Sequence, residues 1–176
     1  MMNPQLLTEL LFISAVLVLT VLGFSQLRGA RLTGAEKSEK VLTGFLGGFL
    51  LMGGTVKFFE PFTSMFASQI ALSELPFPEL SKWAGQLGEI SVGLSLLVLL
   101  IAGRKVPQWF AEKLFYLANL AIVVIMLVAV YVHLHPMVPA EVLPLASKPP
   151  SLTLVILFLS LLNVYLHRNN MASAQV

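Results

Sequence analysis

The chain has 176 residues, of which 57% are hydrophobic and only 11% are charged. Soluble domains carry about 25% charged residues, so this composition excludes an ordinary soluble domain and indicates a membrane protein. The absence of cysteine excludes disulfides, thiolate nucleophiles and cysteine-ligated metal centres. The formal net charge of +2 says little about partners and gives no reason to expect nucleic acid among them.

Five apolar segments divide the chain, and each has about 17–25 residues, the length that spans a hydrocarbon core about 30 Å thick. A backbone in lipid must satisfy its own hydrogen bonds, and no period-two alternation suggests a barrel. The sequence therefore predicts an all-α polytopic membrane bundle with five transmembrane helices. These cover Leu6–Leu27, Val41–Phe59, Lys82–Gly103, Phe110–Val132 and Ser151–His167.

The organisation along the chain follows from these segments. Residues 1–40 are predicted to form an N-terminal transmembrane helix and a basic cytoplasmic loop, residues 41–168 a four-helix membrane core, and residues 169–176 a C-terminal tail. No Lys or Arg precedes the first apolar segment, which is also longer than the apolar region of a usual signal peptide, so we expect a retained helix.

The distribution of basic residues predicts the orientation. Basic residues concentrate in the loops after the first and third segments and in the tail, and cytoplasmic loops carry the excess of Lys and Arg. The amino terminus is therefore expected outside and the carboxyl terminus in the cytoplasm. The basic residues on the predicted inner side are Arg28, Arg31, Lys37, Lys40, Arg104, Lys105, Lys113 and Arg168, against Lys57, Lys82 and Lys148 on the outer side.

The connection between the second and third segments is predicted to contain a short helix. Phe62, Met65, Phe66 and Ile70 recur at helical spacing, and the run ends before Pro76, so it is too short to cross a membrane. Such a helix lies on the outer membrane surface as an anchor or folds over the mouth of the bundle.

A candidate pocket is predicted from one buried carboxylate. Glu89 lies seven positions after Lys82, the start of the third segment, and an ionised group at a helix centre costs about 2.5–3.5 kcal/mol. Lys57, at the outer end of the second segment, is the nearest cation, and Gln86 shares a helical face with Glu89. Lys57, Gln86 and Glu89 would form an outward-facing pocket for a ligand or a proton. The alternative is a buried ion pair that only fixes the helix register.

Other outer-side residues are candidates for the rim of this pocket, namely Glu60, Lys82, Trp83, His133 and His135. His133, His135 and the nearby Met137 suit a soft metal, but a His-x-His spacing points the two rings apart on a helix. We therefore expect interfacial histidines and no metal site. No residue is predicted to be catalytic.

Small residues recur on the second and third segments and predict close helix packing, because small side chains let helices approach each other in lipid. The glycines concerned are Gly44, Gly47, Gly48, Gly54, Gly85 and Gly93.

Two stretches carry a family resemblance. "GGFLLMGGTVKFFEP" resembles the first core helix of DoxX-like membrane proteins, and "LPFPELSKWAGQLGEISVGLSLLVLLIAGR" resembles their second. The resemblance covers residues 41–167, and the first apolar segment would be an addition to the family's four-helix core. The positions that match are Gly54, Lys57, Glu60, Pro61, Glu89 and Gly93.

The resemblance implies a four-helix core and a small subunit of a larger membrane assembly, as in quinone-linked systems such as thiosulfate:quinone oxidoreductase. We therefore expect an accessory protein of a bacterial inner membrane, without catalytic activity of its own, in contact with lipids and other membrane subunits. Quinone or a lipid is the expected ligand. The alternatives are a transporter or carrier for a small lipophilic or anionic solute, which the outer position of the polar groups disfavours, and a purely structural scaffold.

Overall fold

The computed structural model describes residues 4–27 and 32–173, and within these residues the chain is all-α, as the sequence predicts. Three short 3₁₀ turns, Gly103–Lys105, Ala140–Val142 and Pro144–Ala146, lie in the connections. The α-helices are α1 (Pro4–Leu27), α2 (Gly34–Val56), α3 (Phe62–Leu72), α4 (Pro78–Ala102), α5 (Gln108–Leu134) and α6 (Ser151–Ser173).

Four helices in the described part of the chain are long and apolar enough to cross a membrane: α1 over Leu6–Ser25, α4, α5 and α6. The second predicted span, Val41–Phe59, falls on α2, which is not one of the four. Charged residues in its first turns and several glycines lower the hydropathy of α2. A fifth span therefore stays a prediction.

Helix α2 begins at Gly34, before the predicted Val41, because a capping box starts it. The Thr33 side chain accepts a hydrogen bond from the Glu36 N–H, and the Glu36 carboxylate accepts one from the Thr33 N–H. Lys37 and Lys40, predicted to lie in a loop, are therefore part of α2.

Two other predictions concern the ends of elements. Helix α6 continues to Ser173, into the predicted tail of residues 169–176, and the division of the chain at residue 168 stays a prediction. Arg28 and Arg31, which the orientation prediction uses, lie outside the described residues.

Glycines bring α2 and α4 into close contact, as the small-residue pattern predicts. A Cβ atom placed at Gly93 would lie 2.5 Å from the Leu51 nitrogen and 2.8 Å from the Gly47 oxygen. At Gly54 a Cβ would lie 2.9 Å from the Gln86 oxygen. These positions leave no room for a side chain, so the carboxyl-terminal half of α2 lies directly against α4.

A buried apolar layer fills the middle of the bundle, formed by Leu46, Leu96, Ile122 and their neighbours. Buried polar pairs follow toward the amino-terminal end of α2, where Thr43 donates to Asn163 (3.2 Å). The adjacent pair is Ser160 and Asn119, at 3.1 Å.

A polar cluster around one carboxylate, that of Glu39, lies near the amino-terminal end of α2, before the predicted span. Glu39 is 2.7 Å from His167 Nδ1 and accepts a hydrogen bond from Asn170. The His167 ring stacks on Phe115 at 4.0 Å. Burial raises the pKa of Glu39, but the hydrogen bonds from His167 and Asn170 and the attraction of His167 and Lys40 outweigh burial and lower the pKa from its ordinary value.

Candidate functional site

A cavity of about 500 Å³ lies at the opposite end of the bundle, between all six helices described above. Its volume is within the range of about 300–1,000 Å³ that is typical of small-molecule pockets. The wall is mainly apolar, and its polar members come from different helices. Residues that represent each helix are Phe12 of α1, Val56 of α2, Phe66 of α3, Gly85 of α4, Met126 of α5 and Ile156 of α6.

Lys57 and Glu89, two of the three predicted pocket residues, both line this cavity and contact each other. Lys57 Nζ lies 2.5 Å from Glu89 Oε2, and the two side chains are only 18% and 13% exposed. Lys57 follows the last residue of α2, and its Nζ also lies 4.2 Å from the centre of the Phe66 ring. The lysine charge is thus held by a carboxylate and by a cation–π contact.

Gln86, the third predicted pocket residue, is placed differently. It is 2% exposed, and its main-chain oxygen faces Gly54 at the contact between α2 and α4. It is not among the residues that line the cavity. Its Nε2 has no hydrogen-bond partner among the described residues, which is an energetic cost.

Among the predicted rim residues, the structure brings His133 to the cavity wall. Its Nδ1 lies 2.8 Å from the Ala129 carbonyl oxygen, which can only accept, so Nδ1 carries a proton and Nε2 of the neutral ring is an acceptor. His135 does not line the cavity. Its main-chain oxygen accepts a hydrogen bond from Lys148 in the loop before α6.

The other predicted rim residues do not line the cavity either. Glu60 accepts a hydrogen bond from the Ser64 hydroxyl, and Lys82 lies 3.4 Å from the exposed Glu79. Trp83 is 44% exposed. Lys82 and Trp83 lie on other faces of α4 than Ser81, Gly85 and Glu89, which line the cavity, and Glu60 lies in the turn between α2 and α3.

Glu9 of α1 also lines the cavity and was not among the residues predicted from the sequence. Glu9 is 9% exposed, and its carboxylate accepts a hydrogen bond from the Leu145 N–H, in the loop before α6. Leu145 has φ 58°, a left-handed conformation that is unfavourable for a residue other than glycine. The sequence did indicate Glu9, because it is a carboxylate inside the first apolar segment, and the same kind of position singled out Glu89.

Helix α3 covers the cavity and is bonded to the connection between α5 and α6. Phe62, Phe66, Gln69 and Ile70 line the cavity from α3. The Gln69 amide donates to the Val142 main-chain oxygen.

The end of α3 is held to α5 as well. The Tyr131 hydroxyl of α5 donates to the Ser73 main-chain oxygen at 3.0 Å, just after α3 ends. These bonds fix α3 as one wall of the cavity.

No protein-family model, curated protein or solved structure matches this chain.

Within residues 4–27 and 32–173, no group of three or more His, Cys, Asp or Glu side chains is arranged to hold a metal ion. The arrangement instead combines a mainly apolar chamber with an ion pair and further polar side chains from several helices, among them Glu9, Gln69 and His133. Such a chamber can hold the apolar body of a ligand while the polar head lies beside Lys57, Glu89, Glu9 and His133.

Proposed function

We propose that this chain is an integral membrane protein that holds a lipid-soluble ligand in the cavity beside Lys57 and Glu89, as an accessory subunit of a larger assembly. The observation that carries the proposal is the location of this ion pair in the wall of an otherwise apolar chamber. Interiors pack without voids much larger than a water molecule, so a chamber of this size is a feature in need of an occupant.

The proposed topology has five spans, with α2 as the second. Helix α2 packs against α1, α4 and α6, each of which is apolar and long enough to cross the bilayer. Its 23 residues extend about 34 Å at 1.5 Å per residue, which is sufficient for a span. A helix held between spanning neighbours crosses with them. The amino terminus is then outside, the carboxyl terminus cytoplasmic, and α3 on the outer surface.

Quinone is the first ligand to test, and the resemblance of residues 41–167 to DoxX-like proteins supports this choice. The same resemblance supports a bacterial inner membrane and a role beside a redox partner. A quinone has a flat polar head and an apolar tail, which matches a chamber with its charged groups on one side.

Co-purification tests the proposal. The protein is isolated in mild detergent, and bound lipids and proteins are identified by mass spectrometry. Ala84 lines the cavity, and Ala84→Phe should fill part of it and lower the amount of bound ligand about tenfold. Ala102→Phe, at the other end of α4 and outside the cavity, is the matched control and should retain the ligand. Equal retention in both variants, or no bound lipid or quinone in the wild type, contradicts the proposal.

A carrier for a small solute is the second candidate, because buried polar pairs continue the polar groups toward the other end of the bundle. Thr43 with Asn163 and Asn119 with Ser160 lie there. The apolar layer that contains Ile122, which is fully buried, separates these pairs from the cavity and would have to open. Solute uptake by proteoliposomes that contain the purified protein would favour this candidate.

A further inference from the structure

We infer that the cavity selects an amphiphile whose head donates hydrogen bonds and carries no negative charge, such as a long-chain alcohol, phenol or amine. This inference rests on the proposed function, because it specifies the ligand class of the same cavity. It follows from which hydrogen-bonding groups in the wall are already engaged and which remain for a ligand.

The only Lys or Arg among the described residues that line the cavity is Lys57, and its charge is already neutralised. Its Nζ lies 2.5 Å from Glu89 Oε2 on one side and 4.2 Å from the Phe66 ring centre on another. An anionic head would have to displace the Glu89 carboxylate from Lys57 and leave that carboxylate uncompensated in an apolar wall. Breaking a buried pair in this way is strongly unfavourable. The wall therefore disfavours fatty acids and acidic lipids.

The groups that remain for a ligand are mainly acceptors. A carboxylate has about four lone-pair sites, and Lys57 engages one oxygen of Glu89, so the other oxygen can accept from a ligand. His133 uses Nδ1 as a donor to the Ala129 main-chain oxygen, which leaves Nε2 of the neutral ring as an acceptor.

The side-chain amide donor in the wall is also engaged, because Gln69 donates to the Val142 main-chain oxygen. A head that brings its own N–H or O–H group satisfies these acceptors, whereas a head with acceptors alone leaves them unpaired and can bond to the remaining N–H groups of Lys57 and to the Thr153 hydroxyl. A quinone meets the requirement better in its hydroxyl-bearing reduced form.

Competition for a photoreactive ligand tests the inference. The full chain is reconstituted in nanodiscs with a dodecanol analogue that carries a diazirine on its tail, and labelled peptides are mapped by mass spectrometry. The competitors share one tail and differ in the head: dodecanol, dodecylamine, methyl dodecyl ether and dodecanoate. Concentrations are corrected for the measured partition of each competitor into the nanodisc lipid, at a pH at which the acid is ionised.

Peptides from the cavity segments of α4 and α5 should be labelled. Dodecanol and dodecylamine should displace the label at concentrations about tenfold lower than the ether or dodecanoate. If the ether or dodecanoate competes as well as dodecanol, the inference is overturned, while labelling of the cavity still supports the proposed function. If the label is absent from those peptides, both are overturned.

Two glutamate variants test the role of the ion pair. Glu89→Gln leaves Lys57 without its carboxylate partner. Relative to dodecanol, dodecanoate should then displace the label at a concentration about tenfold lower than it needs on the wild type. Glu141→Gln, at an exposed position in the outer loop, removes the same charge away from the cavity and should keep the wild-type order. An unchanged order in a folded Glu89→Gln variant overturns the inference. If that variant does not fold, the order of the competitors on the wild type decides alone.

Discussion

At the scale of single residues, the cavity depends on one ion pair whose partners cannot be separated cheaply. Lys57 and Glu89 are mostly buried, so removal of either leaves a charge in an apolar wall. Replacement of both by apolar residues removes the charge and its desolvation cost together. The cost of each single substitution should therefore far exceed that of the double substitution.

Lys57→Met should destabilise the protein by about 3 kcal/mol, near the low end of the range for breaking a buried pair, because the pair retains some exposure. Lys57→Met combined with Glu89→Leu should recover most of that loss. Unfolding in detergent, monitored by circular dichroism, measures the loss of stability in the single and in the double variant. Lys82→Met breaks only the exposed contact with Glu79 and should cost below about 1 kcal/mol.

The double variant also separates a scaffold from a ligand-binding protein. A scaffold should keep its assembly and its cellular role when the ion pair becomes apolar. A ligand-binding protein should remain folded but lose the bound molecule. An equal loss of stability in Lys57→Met and Lys82→Met would show that Lys57 is not held as described.

The Glu39 cluster makes stability depend on pH. Glu39 has a folded-state pKa below its ordinary value of 4.5, so its ionised form is stabilised by folding. That contribution is complete above the ordinary pKa and disappears as pH falls through the lowered value. Glu39→Gln should therefore cost about 1.5–3 kcal/mol near neutral pH, the range for hydrogen bonds to a charged group. The cost should shrink below about pH 4.5.

Unfolding measured across a pH series, with Glu141→Gln as an exposed control, checks this expectation. A difference between Glu39→Gln and wild type that stays constant down to the lowest pH would contradict it, because a neutral carboxyl would then be as favourable as the ion.

At the scale of helices, the contact between α2 and α4 positions the ion pair, and glycine makes that contact possible. Gly93→Ala places a Cβ 2.5 Å from the Leu51 nitrogen, so the two helices must separate. We expect a loss of about 1–3 kcal/mol, the usual cost of overpacking, and weaker ligand binding as Lys57 moves from Glu89.

Gly103→Ala is the control for this substitution, because nothing lies within 4 Å of a Cβ at Gly103 near the other end of α4. Thermal unfolding and the ligand content of the purified protein compare the two variants. Equal stability of the two would show that α2 and α4 have room to separate without loss.

The helices were predictable from sequence to different extents, and the reasons are physical. Predicted spans match α5 and α6 closely at their starts, because the apolar runs there begin at the helix ends. The start of α2 was missed because hydropathy does not register charged helical turns, although Thr33 and Glu36 carry the spacing of a capping box. α3 was predictable from helical spacing and from Pro76.

The candidate site was predictable where an energetic penalty singled out a residue. Glu89 and its cation could be paired because a lone carboxylate in lipid is costly. Glu9 was open to the same reasoning. The residues at the rim of the cavity could not be predicted, because sequence spacing does not show which face of a helix its neighbours cover. Of the five predicted rim residues, only His133 lines the cavity.

At the scale of the whole molecule, the directions of the helices define two ends. The cavity is lined by the first part of α1, the last part of α2, the first part of α4, the last part of α5 and the first part of α6. Successive long helices therefore run through the bundle in opposite directions. Lys57 and Glu39, on the same helix, therefore belong to opposite ends of the bundle, and each end has its own buried charged cluster.

The side of the membrane that the cavity faces can be measured directly, because the chain has no cysteine. Single cysteines at exposed positions report on either end: Ser64→Cys and Glu141→Cys beside the cavity, Lys105→Cys and Ser173→Cys at the other end. With five spans and the amino terminus outside, a membrane-impermeant maleimide should label Ser64→Cys and Glu141→Cys in intact cells. Lys105→Cys and Ser173→Cys should react only after the cells are opened.

If α2 does not cross the membrane, the position-173 cysteine lies on a different side relative to the amino terminus than it does with five crossings. Five crossings put a tag before Met1 and the cysteine at position 173 on opposite sides, whereas four crossings put them on the same side. Because α2 is packed between helices that are long and apolar enough to span, a non-crossing α2 would have to bury its charged first turns in lipid or leave its neighbours. Both alternatives cost more than a crossing through a glycine-lined contact, so we expect the tag and the position-173 cysteine on opposite sides.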